Sequence, residues 1–440
     1  MKARLKRAID VLRETFWVLP GLITLAGIIL ALILLQIDKS GILPLWLVDG
    51  AWLYNGGSTG ARTLLGAVAS STIGVAGTVF SITIAALSLA AGQMGPRLLR
   101  NFTKDRGNQI SLGAFLGTFS YSLMVLRTVR SEEEGAFVPH LSLTFGIMLA
   151  FACVGVLVYF VGHMAGRINV DTVVDLVSDD VRDAMKRLTV KDQQPSPPAL
   201  SFWESAVLIN DSRRGYLQQL DASGLTEWAV EKGTSILLLV RPGDYVFPGA
   251  PIAFMRPVVE GAEQAIRIAT ALGPQRGSSA DIEFAVRQLV EVAVRALSPG
   301  INDPLTAISV IDRLGAALCD LVRLHLPTGV TISDGRPVVV TPGVDYDGLA
   351  DAMFHMIRQN GVRSPAVLIR ILDVLTAVVA LERAPSRVAT LHRHADLVLD
   401  DACRNIQSPT DLYDIRKRHR GFIAMNVRGP LGQLEAMASG

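Results

Sequence analysis

Charge is scarce in this chain of 440 residues: 19% of it is Asp, Glu, Lys or Arg, against about 25% in an average soluble domain. That scarcity argues against a disordered chain, a nucleic-acid binder and an ordinary cytosolic enzyme. Cysteine is scarcer still. Only Cys153, Cys319 and Cys403 occur, with no C-x-x-C pair, so neither a disulfide framework nor a cysteine-rich zinc site is expected. The common catalytic signatures are missing as well: there is no G-x-S-x-G, P-loop or H-E-x-x-H, and no dinucleotide-binding glycine fingerprint in its proper context. The chain is therefore read as a non-enzyme without catalytic residues, cofactor or metal. His392 and His394 are two apart and would splay on a helix. His140 and His163 lack a ligand-spaced partner and read as interfacial residues.

What charge there is lies unevenly. Residues 1–167 hold 14 basic and 8 acidic residues, a net of +6. The remaining residues hold 28 basic and 32 acidic ones, a net of −4. Four stretches of the first part lack Asp, Glu, Lys and Arg altogether: Thr15–Ile37, Thr63–Pro96, Gly107–Leu126 and Gly135–Gly166, of 23, 34, 20 and 32 residues. A helix crosses the hydrocarbon core with about 20 apolar residues, so each is long enough. Spans are expected at about 16–37, 65–90, 109–127 and 139–162, making residues 1–167 a transmembrane domain of four α-helices. The first is too long for a signal-peptide core and no cleavage site follows it.

Basic residues alternate between the connecting segments. Lys2, Arg4, Lys6, Arg7 and Arg13 precede the first span, and Arg97, Arg100, Lys104 and Arg106 follow the second. The segment after the first span carries Lys39 and Arg62 beside Asp38 and Asp49. Arg127 and Arg130, after the third, are offset by Glu132, Glu133 and Glu134. The positive-inside rule then puts both termini in the cytosol. Trp17, Trp46 and Trp52 lie near span ends, as interfacial aromatics do.

The second charge-free stretch is unusual. As a helix, 34 residues would reach about 51 Å, well beyond the core. Gly66, Ser70, Gly74 and Thr78 recur every fourth position, and Ala67, Gly74, Ser81 and Ser88 every seventh. Such small residues let helix backbones approach closely in lipid. The alternative is a pore-lining helix, with Ser71, Thr78, Ser81 and Ser88 offering hydroxyls to a lumen. Arg97, Arg100, Lys104 and Arg106 would then form a basic ring at the cytosolic mouth, favouring anions. Gly113 and Gly117 in the third stretch, and Gly162 and Gly166 in the fourth, also fit helix packing.

Beyond Arg167 the composition becomes that of a soluble region. Residues 168–198 read as a helix and a Pro-rich linker, 199–258 as a small β-barrel or sandwich module, and 259–440 as a mainly helical cytosolic domain. The fold class is thus membrane α-helical followed by a cytosolic α+β region. Within 199–258, Ile236–Val240, Tyr245–Phe247 and Pro251–Met255 are predicted strands punctuated by Pro-Gly turns. The hairpin from Pro242 to Gly249 resembles that of biotinyl and lipoyl carrier domains. The only candidate attachment lysine, Lys232, lacks the flanking methionine, so covalent carriage is not expected. Helices are predicted over 281–298, from Asp303 to about Leu326, and over 346–360, 365–382, 385–406 and 409–427, with a hairpin at 329–340 turning on Asp334-Gly335. The corner between the first two of these helices offers two readings. Asp303 is a good N-cap and Pro304 a good first helical residue. Arg295, Asn302, Asp303 and Thr306 could instead form a ligand corner, with Arg295 and helix-N-terminal amides facing an anion. The basic cluster Arg416–Arg420 reads as a solvated face.

Several of these runs together resemble one family: FSITIAALSLAAGQMGPRLLRNF from Phe80 to Phe102, Gln109 to Phe119 with Tyr121, the Tyr245 hairpin, and Arg295 to Ala307. They are similar to an uncharacterised family of predicted bacterial membrane proteins, domain of unknown function 2254. The resemblance implies a multi-pass protein of the bacterial inner membrane and a shared architecture, and no activity. Two functions from different classes follow. One is a homo-oligomeric pore for small ions, lined by the second span, with the cytosolic part as vestibule or gate. The other is a membrane-anchored scaffold or sensor binding a cytosolic partner or small ligand. The partners expected are the lipid bilayer and further copies of the chain, and not nucleic acid.

Overall fold

The computed structural model describes residues 16–40, 54, 56–94, 105–130, 137–167, 170–276 and 281–438. They fall into two compact units, one formed by Asp10–Gly92 and Pro96–Asn169, the other chiefly by Val170–Gly440.

The first unit contains four helices long and apolar enough to cross a membrane: α1 (Val18–Ser40), α2 (Ser58–Met94), α3 (Arg106–Leu126) and α4 (His140–Arg167). All four expected spans are present, and α2 is longer than its charge-free stretch. The most enclosed is α3, whose buried residues include the polar Asn108, Gln109, Ser111, Thr118 and Ser122 as well as Phe115 and Tyr121. It meets α1 at a glycine contact. A Cβ on Gly27 would lie 2.6 Å from the Gly117 carbonyl oxygen, and one on Gly113 would lie 2.7 Å from Ile23 Cδ1. The Gly113/Gly117 pair is therefore a packing device, as its spacing implies. Gly162 and Gly166 differ: among the described residues a Cβ there meets nothing within 4 Å, so they make no close helix contact among them.

Polar contacts fasten one end of the bundle. Asp38, in the last turn of α1, accepts from the Leu141 and Ser142 amides at 3.1 and 2.9 Å and from Ser142 Oγ at 2.6 Å. A carboxylate is favourable there because the first amides of α4 have no partner within their own helix and carry its positive dipole end. Tyr121 donates to the Ser142 carbonyl at 2.7 Å, and Tyr54 N to Thr144 Oγ1 at 3.0 Å.

The second unit opens with α5 (Val170–Leu188), which buries Val173, Val174, Val177, Val181 and Met185. A five-stranded and a three-stranded sheet follow. Their strands are β1 (Val207–Asp211), β2 (Gly215–Leu220), β3 (Ser235–Leu238), β4 (Tyr245–Val246), β5 (Ala250–Arg256), β6 (Thr270–Gly273), β7 (Val330–Ser333) and β8 (Arg336–Val340). The larger sheet has the order β1-β5-β3-β8-β7 and the smaller β4-β2-β6. All neighbours are antiparallel except β3 and β8, which pair Ile236 with Val339 in parallel.

Both sheets are open, so of the expected barrel or sandwich the closed barrel is absent among the described residues. The reason lies outside the expected module: the edge of β3 is covered by the β7–β8 hairpin, almost 100 residues later. That hairpin turns where expected, with Asp334 at φ 49° and Gly335 at φ 72°, the doubly positive pair that two-residue turns favour. Two helices belong to the same layer, α6 (Ala222–Lys232) and α7 (Ala262–Ala269). Their Leu225, Ala229, Ala262 and Ile266 pack on Ile236, Leu238, Ile252 and Val339. Lys232 ends α6 and is not at a hairpin apex.

The remaining helices are α8 (Ile282–Ala296), α9 (Pro304–Leu321), α10 (Tyr346–Asn360), α11 (Pro365–Leu381), α12 (Pro385–Asn405) and α13 (Pro409–Ala438), the last broken at Gly429-Pro430. Leu289, Val310, Leu314, Phe354, Ile371, Leu375 and Leu391 are fully or almost fully buried among them. A Cβ on Gly315 of α9 would lie 2.4 Å from Val374 Cγ1 of α11, so that crossing needs glycine.

Candidate functional site

The two faces of α2 differ. Ala61, Leu65, Ala69, Thr72, Ala76, Val79 and Ala86 form a buried stripe at steps of three, four and seven. Ala61 and Leu65 pack with Ala31, Leu35, Tyr121 and Leu143. Ala76, Val79 and Ala86 pack with Phe115, Cys153 and Phe160. Ser71, Thr78, Ser81 and Ser88 are all exposed on the outward side. Ser71 Oγ donates to the Val68 carbonyl at 3.1 Å, Thr78 Oγ1 to Gly74 at 3.2 Å and Ser81 Oγ to Gly77 at 2.9 Å. Such back-bonds satisfy a hydroxyl in an apolar surrounding. A Cβ on Gly66, Gly74 or Gly77 meets nothing within 4 Å.

Of the expected basic ring, Arg97, Arg100 and Lys104 lie outside the described residues. Arg106 is exposed at the first position of α3. The residue before it is a contact that the sequence did not reveal. Asp105, with a side chain only 2% exposed, caps α3 by accepting from Gly107 N at 2.9 Å and lies 2.7 Å from His163 Nε2. Tyr159 stacks on that imidazole at 5.4 Å. At the other end of α4, His140 Nδ1 lies 2.5 Å from the Tyr54 carbonyl oxygen.

The 295–306 corner is held by its own chain. Asp303 Oδ1 accepts from the Leu305 and Thr306 amides at 3.1 and 3.2 Å, and Oδ2 accepts from Thr306 Oγ1 at 2.6 Å. The Thr306 hydrogen bond holds the Asp303 carboxyl below its usual range, against the smaller effect of burial. Asn302 takes φ 50°, which Asn tolerates. The Arg295 carbonyl accepts from Ser298 N and Oγ at 3.1 and 2.6 Å. The helix-end amides that would attract an anion thus already hold a carboxylate, and a second anion would meet its charge.

A different cluster brings ligand-type atoms together. Asp351 and His355 sit one turn apart on α10, and His394 faces them from α12. Their ligand atoms all lie within 4.8 Å of one another. His355 Nε2 is 2.9 Å and His394 Nε2 3.1 Å from Asp351 Oδ1. Arg393 Nη2 donates to the same oxygen at 2.6 Å and to Asp347 Oδ1 at 2.8 Å, which Thr390 Oγ1 also approaches at 3.0 Å. The bonds from Arg393 and then Thr390 lower the Asp347 pKa. Burial, reinforced by Arg393, pushes His394 down to about 4. The i, i+4 spacing of Asp351 and His355 was the available signal. His392, the near neighbour of His394 in sequence, faces Phe422 and Asn426 instead.

No solved structure matches this chain. Uncharacterised proteins of Mycobacterium tuberculosis and Mycobacterium bovis are each 33% identical over 430 residues, covering 93% of this chain and 80% of theirs. The model of a family described as predicted membrane proteins matches residues 13–377. With four membrane-length apolar helices lying inside that match, the chain belongs to the DUF2254 family of predicted membrane proteins.

Proposed function

We propose that this protein is a multi-pass protein of the bacterial inner membrane that assembles from identical copies into a pore for small ions, lined by α2. Both termini and the second unit lie on the cytosolic side in this reading, as the alternation of basic segments favours. One observation carries it: a 37-residue helix packs one stripe inward and leaves Gly66, Gly74 and Gly77 without neighbours among the described residues, on the side that bears Ser71, Thr78, Ser81 and Ser88. Glycine is costly in a helix interior, and close approach by another helix is what it permits in lipid. Arg106, with Arg97, Arg100 and Lys104, would favour anions at the cytosolic mouth. In this role the chain conducts and makes no bonds. Native mass spectrometry of the detergent-solubilised complex is the test. A ring requires a multiple of 47.3 kDa, and a monomer alone would remove it.

The second reading, a membrane-anchored scaffold or sensor that binds a cytosolic partner or small ligand, is favoured by the Asp351–His355–His394 cluster. Thermal-shift screening with cations and small anions, repeated on Asp351→Asn, tests it. A ligand that stabilises both proteins equally does not bind there.

A further inference from the structure

The geometry points to a divalent transition-metal site, of the zinc class, formed by Asp351, His355 and His394 in the second unit. This goes beyond the pore reading and holds whether or not the chain conducts.

Three observations converge. The first is the donor set. Two imidazoles and one carboxylate suit zinc-like ions better than magnesium or calcium, which prefer oxygen alone. Zinc sites with three protein ligands leave a fourth position for water or a substrate. The two partly exposed residues, Asp351 and His355, leave that side of the cluster open to solvent.

The second is geometry. Bonds of about 2.0–2.1 Å at tetrahedral angles separate ligand atoms by about 3.4 Å. The two Nε2 atoms lie 2.9 and 3.1 Å from Asp351 Oδ1, so a shift of a few tenths of an ångström admits an ion. Two of the ligands share one helix at i, i+4, and the third comes from a helix packed against it.

The third is the state of His394. Its side chain is 1% exposed, and among the described residues neither ring nitrogen has a hydrogen-bond partner. Nε2 lies near Asp351 without the alignment that a hydrogen bond needs. A buried imidazole without partners is costly, and a metal ion would take up its lone pair. The neutral imidazole is the form that ligates.

The surroundings fit a cation. Asp347 and Asp351 carry two negative charges against the one positive charge of Arg393. Arg358, beside the cluster, is matched by Asp401. The two carboxylates therefore exceed the guanidinium that bridges them by one negative charge. Arg393 bridges Asp347 and Asp351 and orients the ligating carboxylate, as outer hydrogen bonds do in metal sites. Ligation through His355 Nε2, with the proton on Nδ1, replaces both the 2.9 Å contact of Nε2 with Asp351 Oδ1 and the long 3.4 Å contact of Nδ1 with Arg358 Nη2.

The test uses the untagged full chain in detergent, stripped with EDTA and titrated with Co²⁺, whose visible absorption reports bound nitrogen and oxygen ligands. One saturable equivalent per chain is expected, with its absorption bleached by Zn²⁺. His355→Ala and Asp351→Asn, both at partly exposed positions, should each weaken binding by at least about tenfold. His419→Ala, at a surface pair with Asp396, should bind like the parent protein. Circular dichroism and melting curves show which variants are folded, and a loss in either folded variant supports the site. Absence of saturable Co²⁺ and Zn²⁺ binding by the parent chain, or unchanged binding in both variants, overturns it.

Discussion

The carboxylate of Asp38 accepts a 2.6 Å hydrogen bond from Ser142 Oγ across 104 residues of chain, and it accepts from two α4 amides as well. One side chain at the end of α1 thereby caps the start of α4. Asp38→Ala should lower the stability of the first unit by about 1–2 kcal/mol, the usual cost of losing such a cap. A lower melting temperature of the detergent-solubilised protein, recovered in part by Asp38→Asn, is the expected result.

Glycines in the charge-free stretches are not equivalent. A Cβ at Gly27 runs into the Gly117 carbonyl, while one at Gly74 meets open space. Gly27→Val should therefore cost about 1–3 kcal/mol through overpacking. Gly74→Val should leave the melting temperature of the single chain unchanged and reduce the mass of the assembled complex. Native mass and thermal unfolding, measured on both variants, separate the two effects.

Asp303 caps α9 through two amides and a hydroxyl. Asp303→Ala should destabilise the second unit by about 1–2 kcal/mol. Arg295→Ala should leave phosphate and nucleotide affinity unchanged in a thermal-shift assay, because the helix-end amides already hold Asp303.

His394 sets a pH dependence. Its pKa falls from 6.5 in the unfolded chain to about 4 in the fold, through burial and then Arg393, against the opposing pull of Asp351. His355, Asp347 and the Phe354 ring also face it. Between those values the unfolded chain binds the proton and the folded chain does not. Stability is therefore intact above pH 6.5 and falls as the pH drops towards 4, by about 3 kcal/mol at roughly 1.4 kcal/mol per unit. In metal-free protein, His394→Gln should flatten that part of the melting profile. An unchanged slope would contradict a neutral buried imidazole.

Much of this molecule was legible from local signals. Four charge-free runs marked the membrane helices, because lipid forbids unpaired charge over about 20 residues. Asp303-Pro304 and Asp334-Gly335 marked a cap and a turn that depend on near neighbours alone. The expected helices over 365–382 and 385–406 begin where Pro365 and Pro385 open α11 and α12, a first-turn position that proline favours. What escaped was long-range. The β3–β8 pairing joins strands about 100 residues apart, so a sheet that recruits a distant hairpin looked like a self-contained module of residues 199–258. Helix α6, which Asp221 caps and Gly233 ends at φ 63°, lies between β2 and β3 inside a stretch whose Pro-Gly turns and short apolar runs read as β throughout. In the candidate sites, both new carboxylate–imidazole contacts, Asp105–His163 and Asp351–His394, join helices apart in sequence. The emphasis on α2 also hid α3, where the buried polar side chains collect.

Conductance tests the central claim most directly. Purified protein reconstituted in planar bilayers, recorded across voltage and membrane tension, should give discrete openings that Ser81→Leu blocks or narrows and that Arg106→Glu makes less anion-selective. Silence at every voltage and tension, in preparations whose native mass shows intact complexes, would contradict a pore lined by α2.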